Sequence, residues 1–272
     1  MIKATFGLTH EPFHRADLTL LAQQQAIAEI LHIHAQHGGF IVIIGAPGLG
    51  KSILREHLEA SVERGPLRGQ AVIATFSRTL HTYTQLLAQL GASLKLNCAP
   101  NQLETELIKT AFAIHRERKT LYTVIDEAHL IDIIALRKLR LLFERFPKNH
   151  LLVLLGQPEL MLQLSLLPNA DIKQRITHSA TLLPLTDEQL NAFINQELSA
   201  CGLGANTFDE AALDLILRNA QGNLRLTRHL CHGSLLQACI AKERHVLTSH
   251  VNNVLIQPHW RSHDQLIKGQ VK

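Results

Sequence analysis

The chain has 272 residues, of which 46% are hydrophobic and 18% are charged. This length suits one large domain, or a domain with a smaller partner, and it can bury a core without metal or disulfide staples. No long like-charge run is present, which argues against wholesale disorder. The formal net charge is +4, so contact with a polyanion is permitted but is not required.

Neither a membrane anchor nor a disulfide framework is expected. The apolar runs are far shorter than the roughly 20 residues that a membrane-spanning helix needs, and residues 1–15 lack the apolar core of a signal peptide. The cysteines show no Cys-x-x-Cys spacing; they are Cys98, Cys201, Cys231 and Cys239. Free thiols in a reducing cytoplasm are the simplest interpretation, so we expect a cytoplasmic protein.

In chain order, a short N-terminal arm leads into a helix predicted over Leu18–His37, which ends before Gly38. Apolar segments of strand length follow, separated by helical segments. They are Phe40–Ile44, Ala71–Phe76, Leu121–Ile125, Leu151–Leu155 and Ser179–Leu183. Continuously apolar strands that alternate with helices indicate an α/β fold with a mostly parallel sheet covered on both faces.

After Pro184 the pattern becomes helical. Helices are predicted over Thr186–Ala200, Phe208–Ala220, Leu224–Ala241 and Thr248–Ile256, with glycines in the breaks. We therefore predict an α/β domain over residues 1–184 that includes the arm, a helical subdomain over 185–257, and a polar tail over 258–272.

The strongest motif is a glycine-rich loop between the first strand and a helix. It reads Gly45-Ala46-Pro47-Gly48-Leu49-Gly50-Lys51-Ser52, the pattern GxxxxGKS, and Ile53 continues into the helix. In this setting backbone N–H groups surround phosphate oxygens, and the helix N-terminus adds partial positive charge. Lys51 is expected to reach the β- and γ-phosphates, and the Ser52 hydroxyl to bind magnesium.

An acidic pair follows the third strand. Asp126 and Glu127 come directly after Leu121–Ile125, which places both carboxylates at the carboxyl edge of the sheet, beside the glycine-rich loop. Asp126 is expected to hold Mg²⁺ directly or through water, and Glu127 to orient and polarise the attacking water. Alone, such a pair could be a solvated turn; together with GxxxxGKS it is specific. The glutamate also favours hydrolysis over phosphoryl transfer to a small molecule.

Two other interpretations are weaker. The letters Asp126–His129, DEAH, also occur in some helicases, but those need a second RecA-like domain that residues 185–257 cannot supply. The histidines of the 32–34 and 229–232 segments lack a second half at zinc spacing, so ordinary surface or partly buried groups are the simpler interpretation.

The order and spacing of several blocks resemble the AAA+ ATPases, and more narrowly the ExeA (general secretion protein A) type, which overlaps in sequence with TniB, TnsC and MuB-like regulators of DNA transposition. The blocks are Phe6–Leu8, Pro12-Phe13, Gly45–Ser52, Asp126–His129, Leu154–Leu160, Gln174–Ile176 and Gln221–Arg225. The resemblance covers nearly the whole chain. It implies a P-loop AAA+ sheet with a helical lid, and ATP hydrolysis with Mg²⁺.

The resemblance also implies roles for three further residues. Gln157 resembles sensor 1, which contacts the γ-phosphate or the attacking water, although many AAA+ proteins have Asn, Ser or Thr there. Arg175 resembles the arginine finger that enters a neighbouring subunit's site, with Arg145 as the rival. Arg225 resembles sensor 2, which reads the γ-phosphate in its own subunit. For each of these arginines the alternative is an ordinary solvated side chain at the surface. A shared site implies a homo-oligomer, either a ring or a helical filament.

A DNA-binding surface is less sharply indicated. Residues 116–148 carry a net charge of +3. Arg78 and Lys95 are further candidates, because the family's pore-facing loops follow the second strand. No helix-turn-helix or stacking-aromatic signature is present, so binding to double-stranded DNA would be non-specific and would weaken with salt. A solvated basic face is an equal alternative.

The leading hypothesis is an ATP-dependent regulator that assembles on DNA, recruits a transposase and helps select the target. The lack of a membrane segment favours this hypothesis, because ExeA proteins of the secretion pathway carry one. The alternatives are a soluble ExeA-like ATPase acting on protein partners, and a nucleotide-dependent switch with negligible turnover. A small-molecule kinase is a distant further alternative.

Overall fold

The computed structural model describes residues 2–8, 10–13, 20–76 and 82–260. The chain divides into two compact units. One runs from Leu18 to Leu183 and contains the sheet, and the other combines Met1–Asp17 with Pro184–Lys272 and is helical. No helix among the described residues combines the length and the apolar character needed to cross a membrane.

The first unit is built on a five-stranded parallel sheet with the order β2-β3-β4-β1-β5. The strands are β1 Gly39–Gly45, β2 Ala71–Phe76, β3 Thr120–Ile125, β4 Leu151–Gly156 and β5 His178–Leu182. Each lies within one residue of its predicted bounds. The prediction succeeded because the central strands are buried on both faces and are therefore largely apolar.

Helices cover both faces of this sheet. They are α2 Ala22–Ala35, α3 Lys51–Glu63, α4 Tyr83–Ser93, α5 Leu103–Arg116, α6 Ile133–Phe143, α7 Pro158–Ser165 and α8 Ala170–Lys173, after a short α1, Ile2–Phe6, in the other unit. Alternate residues of a strand face opposite sides. In β1, Phe40 and Val42 therefore pack with α4, α5 and α6, whereas Ile41 and Ile43 pack with α2 and α3.

The helical unit contains α1 and four later helices: α9 Asp187–Ala200, α10 Glu210–Ala220, α11 Leu224–Ala241 and α12 Thr248–Leu255. The turn from α10 to α11 depends on Gly222, which has a φ of +77° and whose added Cβ would lie 2.6 Å from the Leu185 carbonyl oxygen. The Asn223 side chain then accepts the backbone N–H groups of Arg225 and Leu226, which caps α11.

The N-terminal arm differs from its prediction. Its residues group with the helical unit rather than with the sheet, and they include helix α1, which the sequence analysis missed. The reason is apolar burial: Ile2 and Phe13 are almost fully buried, and the Phe13 ring packs edge-on against Phe208 at 6.4 Å. Of the predicted polar tail, residues 261–272 lie outside the described part of the chain.

Candidate nucleotide-binding site

The sheet brings three sequence motifs to one edge. Strands β1, β4 and β3 are parallel neighbours, so their carboxyl ends lie side by side. β1 leads into the loop before Lys51, β3 leads into Asp126, and β4 leads into Gln157. Groups that are 31 to 106 residues apart in sequence therefore meet at the carboxyl edge of the sheet.

The glycine-rich loop forms a cup at the N-terminus of α3. Gly48 and Gly50 have φ values of +85° and +95°, which other L-residues adopt only at a cost. Lys51 is buried, and its Nζ donates to the carbonyl oxygens of Gly45 at 2.6 Å and Ala46 at 3.0 Å. A positive group is thus held beside the loop amides and the positive end of a helix dipole, an arrangement that suits phosphate.

Ser52 and Asp126 form a candidate magnesium site. The Ser52 hydroxyl donates to Asp126 Oδ2 at 2.9 Å, and Asp126 Oδ1 accepts the backbone N–H of Glu127 at 2.9 Å. Asp126 is buried. A hydroxyl and a carboxylate beside a phosphate-binding loop are the oxygen ligands that Mg²⁺ takes in nucleotide sites, so the residues present fit this ion.

Arg55 also faces Asp126, and the sequence analysis did not identify it. Its Nε lies 3.5 Å from Asp126 Oδ2, while its other nitrogens pair with Glu59 at 2.7 Å and Glu56 at 3.3 Å. Arg55 is one helical turn after Ser52, so spacing on α3 could have identified it. It supports the buried carboxylate from the side of the helix.

Glu127 and Gln157 are connected through His129. The Glu127 backbone has a φ of +55°, a left-handed conformation that is uncommon for residues other than glycine. His129 Nε2 lies 3.6 Å from Glu127 Oε2, and His129 Nδ1 accepts the backbone N–H of Gln157 at 3.4 Å. Because Nδ1 accepts, this network assigns the proton of the neutral ring to Nε2, which faces the glutamate.

Sequence reasoning included His129 in the block Asp126–His129 but gave it no role of its own. Its position two residues after Glu127 could have identified it. The turn Ala128–Leu130 follows the acidic pair and directs the His129 imidazole toward the end of β4. The side chain is nearly buried, with 9% exposed, whereas that of Glu127 is 38% exposed. The Glu127 carboxylate is thus accessible to solvent at the site, whereas the His129 imidazole behind it is held by its burial and by the Gln157 backbone.

The two finger candidates lie away from this edge. Arg175 follows α8 at the amino end of β5, and Arg145 follows α6 before β4. Both side chains are 61% exposed; Arg175 Nε is 3.3 Å from Glu144, and Arg145 is 3.6 Å from Glu104. Neither approaches the nucleotide loop of its own chain.

Arg225 belongs to the helical unit, where it is exposed in the first turn of α11. Its sensor-2 role stays a prediction. Burial, followed by the nearby Arg225, His259 and His232, lowers the pKa of His229. Among the described residues no group of three or more His, Cys, Asp or Glu is arranged to hold a metal ion.

Comparisons with known proteins give the fold. The model of the AAA domain family matches residues 33–164. Two solved structures resemble the chain over 94% of its length. The Aeropyrum pernix ORC2 protein in ADPNP-ADP complexes has a TM-score of 0.68 and 14% identity, and the match covers 73% of that chain. Drosophila ORC bound to DNA has a TM-score of 0.69 and 19% identity, and the match covers 66% of that chain.

This chain has the AAA+ fold. The predicted fold class is therefore confirmed. A curated relative is the general secretion pathway protein A of *Aeromonas hydrophila*, which is 28% identical over 86% of this chain and 44% of its own length. The chain thus spans less than half of that relative. An AAA domain supports nucleotide binding, while the roles assigned to individual residues stay predictions.

We expect His129→Ala to slow ATP turnover by about 10- to 100-fold, the usual cost of losing a group that orients a catalytic residue. ATP affinity should change less than about twofold, because Lys51, Ser52 and Asp126 are untouched. Steady-state phosphate release and equilibrium binding of a fluorescent ATP analogue separate the two effects. His129→Gln, which retains a donor and an acceptor, should lose less.

The control is His115→Ala, a change to an exposed histidine on α5. Unchanged ATP turnover in His129→Ala would show that the contacts between His129, Glu127 and Gln157 do not contribute to catalysis.

Proposed function

We propose that this chain is a Mg²⁺-dependent ATPase. The observation that carries the proposal is the hydrogen bond between Ser52 and Asp126, with Glu127 as the next residue and the Lys51 ammonium in the adjacent loop. A phosphate-binding loop, a metal-binding pair and a carboxylate for water then share one edge of the sheet. The AAA domain match and the nucleotide complexes of the *Aeropyrum pernix* ORC2 protein support this proposal.

In the proposed mechanism, the phosphates are bound by Lys51 and by the loop of residues 45–53, whose backbone N–H groups, absent only at Pro47, face the nucleotide. Ser52 and Asp126 would hold Mg²⁺, which would supply positive charge next to the phosphate oxygens. Glu127 orients the attacking water and accepts its proton, while Gln157 contacts the γ-phosphate or that water. His129 contacts both the Glu127 carboxylate and the Gln157 backbone, and so it sets the position of the carboxylate relative to Gln157.

The proposal includes a neighbouring subunit. β5 has five residues, which extend about 17 Å at roughly 3.3 Å per residue, so Arg175 at its amino end is too far from the carboxyl edge to reach its own site. An arginine can stabilise the transition state from a second chain. We therefore assign Arg175 to a neighbour's ATP, in a ring or a filament, and Arg225 to the γ-phosphate of its own chain.

The proposed task is assembly on duplex DNA as a helper of transposition, with a transposase as the partner. The similarity in fold to *Drosophila* ORC bound to DNA supports a DNA role. The second candidate is an ATPase that acts on protein partners, and the match to a general secretion pathway protein favours it. A nucleotide switch with negligible turnover is a third candidate, which kinetics can separate from the other two.

We expect Glu127→Gln to retain ATP and Mg²⁺ binding and to lower phosphate release by at least about 100-fold, because the amide cannot accept the proton of water. Single-turnover hydrolysis and nucleotide binding should be measured together. Glu159→Gln, at an exposed position on α7 near the same edge, is the control. Equal, near-zero rates for wild type and Glu127→Gln would favour the switch.

Mixing subunits tests the shared site. Lys51→Ala should lose ATP binding, Arg175→Ala should lose turnover, and a mixture of the two should recover part of the activity, because the Lys51→Ala chain supplies Arg175 to the intact loop of the other. Phosphate release across mixing ratios measures the rescue. The same assay is repeated with Arg145→Ala in place of Arg175→Ala. If the mixture with Arg145→Ala is rescued and the mixture with Arg175→Ala is not, then Arg145 is the finger.

A DNA-retention assay distinguishes assembly on duplex DNA from action on protein partners. With wild-type protein we expect a 30-bp duplex of arbitrary sequence to be retained in ATP and released in ADP, and to be retained more weakly as salt rises. Equal, negligible retention in both nucleotides would remove the DNA role and would favour protein partners, while leaving the ATPase proposal intact.

A further inference from the structure

The amino edge of the sheet gathers loops that are distant in sequence. They precede β1, β2, β3 and β4, and hydrogen bonds join them: Gly39 N–H to His150 O at 3.0 Å, Asn149 Nδ2 to Lys119 O at 3.1 Å, and Thr120 N–H to Gln70 O at 3.0 Å. The loops before β1 and β4 are so close that an added Cβ on Gly38 would overlap the Lys148 carbonyl oxygen. The edge is therefore one continuous surface.

This surface is strongly basic. From the last residue of each preceding helix to the strand, residues 35–38, 63–70, 116–119 and 143–150 hold seven cationic side chains and three carboxylates. The cations are Arg64, Arg68, Arg116, Arg118, Lys119, Arg145 and Lys148. This excess equals the +4 formal net charge of the whole chain, so the remaining residues are neutral in sum.

Most of these cations make no ion pair within the described residues. Arg64, Arg68, Arg116, Arg118 and Lys148 are exposed and have no described carboxylate within ion-pair distance. His150 adds no charge at neutral pH, because burial lowers its pKa to about 3. The exposed charges therefore face solvent and are available to a partner.

Helix stabilisation explains only part of the pattern. Cations in the last turn of a helix interact favourably with its dipole, which accounts for Arg116 at the end of α5 and Arg64 just after α3. The dipole effect falls off within one turn, and Arg68 and Lys148 lie four or more residues beyond the helix ends. The described part of the opposite edge has no such excess of cations, because Asp126, Glu127 and Asp132 lie there together with Lys51 and Arg55.

We propose that the amino edge of the sheet, residues 35–38, 63–70, 116–119 and 143–150, is a docking surface for the phosphate backbone of duplex DNA. This inference rests on the DNA role proposed above and locates it at a surface distinct from the nucleotide site. It also differs from the predicted pore-loop residues, of which Arg78 lies outside the described residues and Lys95 follows α4.

Geometry and composition favour a nucleic acid. The cations lie in the loops before three adjacent strands, β2, β3 and β4, which at about 4.8 Å spacing make a row about 10 Å long. Along the duplex axis this length covers about three phosphates of one DNA strand, at one phosphate per about 3.4 Å. The large apolar side chains in these loops are buried; they are Leu67, Phe143 and Phe146. A lipid surface or an amphipathic helix would need exposed apolar groups, whereas phosphates need only cations.

The test compares two triple variants of the full chain with equal net charge. Arg68→Gln, Arg118→Gln and Lys148→Gln neutralise the amino edge. Lys109→Gln, Arg218→Gln and Arg244→Gln neutralise exposed cations elsewhere. Binding of a labelled 30-bp duplex is measured by fluorescence anisotropy in ATP and Mg²⁺ across a series of KCl concentrations.

We expect the edge variant to bind at least about 10-fold more weakly than wild type at 0.1 M KCl, and its plot of log Kd against log salt to lose a slope of about 3, one unit per phosphate contact. The control variant should lose less than about 1. ATP turnover without DNA should equal that of wild type in both variants. Equal slopes in the two variants would overturn the proposal.

Two further outcomes are distinguishable. If wild type hydrolyses ATP and binds the duplex, and the edge variant binds it equally well, the surface assignment fails while the proposed function stands. If polyglutamate competes with the duplex as well as unlabelled duplex does at equal charge, the surface takes acidic protein and the DNA assignment is overturned. Absence of ATP turnover in wild type would instead contradict the proposed function itself.

Discussion

The hydrogen bond between Ser52 and Asp126 depends on the order of the strands. The two residues follow β1 and β3, which do not touch, and β4 lies between them. Asp126 is buried, and a buried carboxylate is stable only when donors surround it. Here the Ser52 hydroxyl and the Glu127 N–H donate, with Arg55 beside them. A charge-assisted bond of this kind contributes about 1.5–3 kcal/mol. The sheet that sets this distance is therefore a precondition for the chemistry.

Local patterns were sufficient for the parts of the molecule in which neighbouring residues determine the outcome. The strands of the sheet were predicted because their segments are largely apolar and of strand length, and the loop before Lys51 because its glycines, lysine and serine occupy fixed positions between a strand and a helix. Long-range packing decided the rest. The contact of His129 with the Gln157 turn arises where β3 and β4 end side by side, and the docking of Phe13 against Phe208 joins segments almost 200 residues apart. No period in the sequence carries such information.

The parallel sheet gives the first unit two chemically different edges. At the carboxyl edge, loop amides and the Lys51 ammonium lie beside the carboxylates of Asp126 and Glu127, which suits a metal-bound triphosphate. At the amino edge, loops that only reverse the chain are under no such constraint, yet they hold the chain's excess of positive charge. A single topology thus separates the proposed polyanion surface from the candidate nucleotide site by the length of one strand.

The same separation argues for assembly. Arg175 lies at the amino end of β5 and is paired with Glu144 on the surface. Exposed pairs of this kind are worth about 0.2–1 kcal/mol, so the arginine is released at little cost when a better anion is offered. Since its own nucleotide loop is a strand's length away, the proposed mechanism assigns that anion to another chain. In the proposed assembly, the surface that carries Arg175 contacts the carboxyl edge of the next subunit; this contact is head-to-tail, and its repetition closes a ring or extends a filament. Under this proposal, the position of Arg175 makes turnover depend on association.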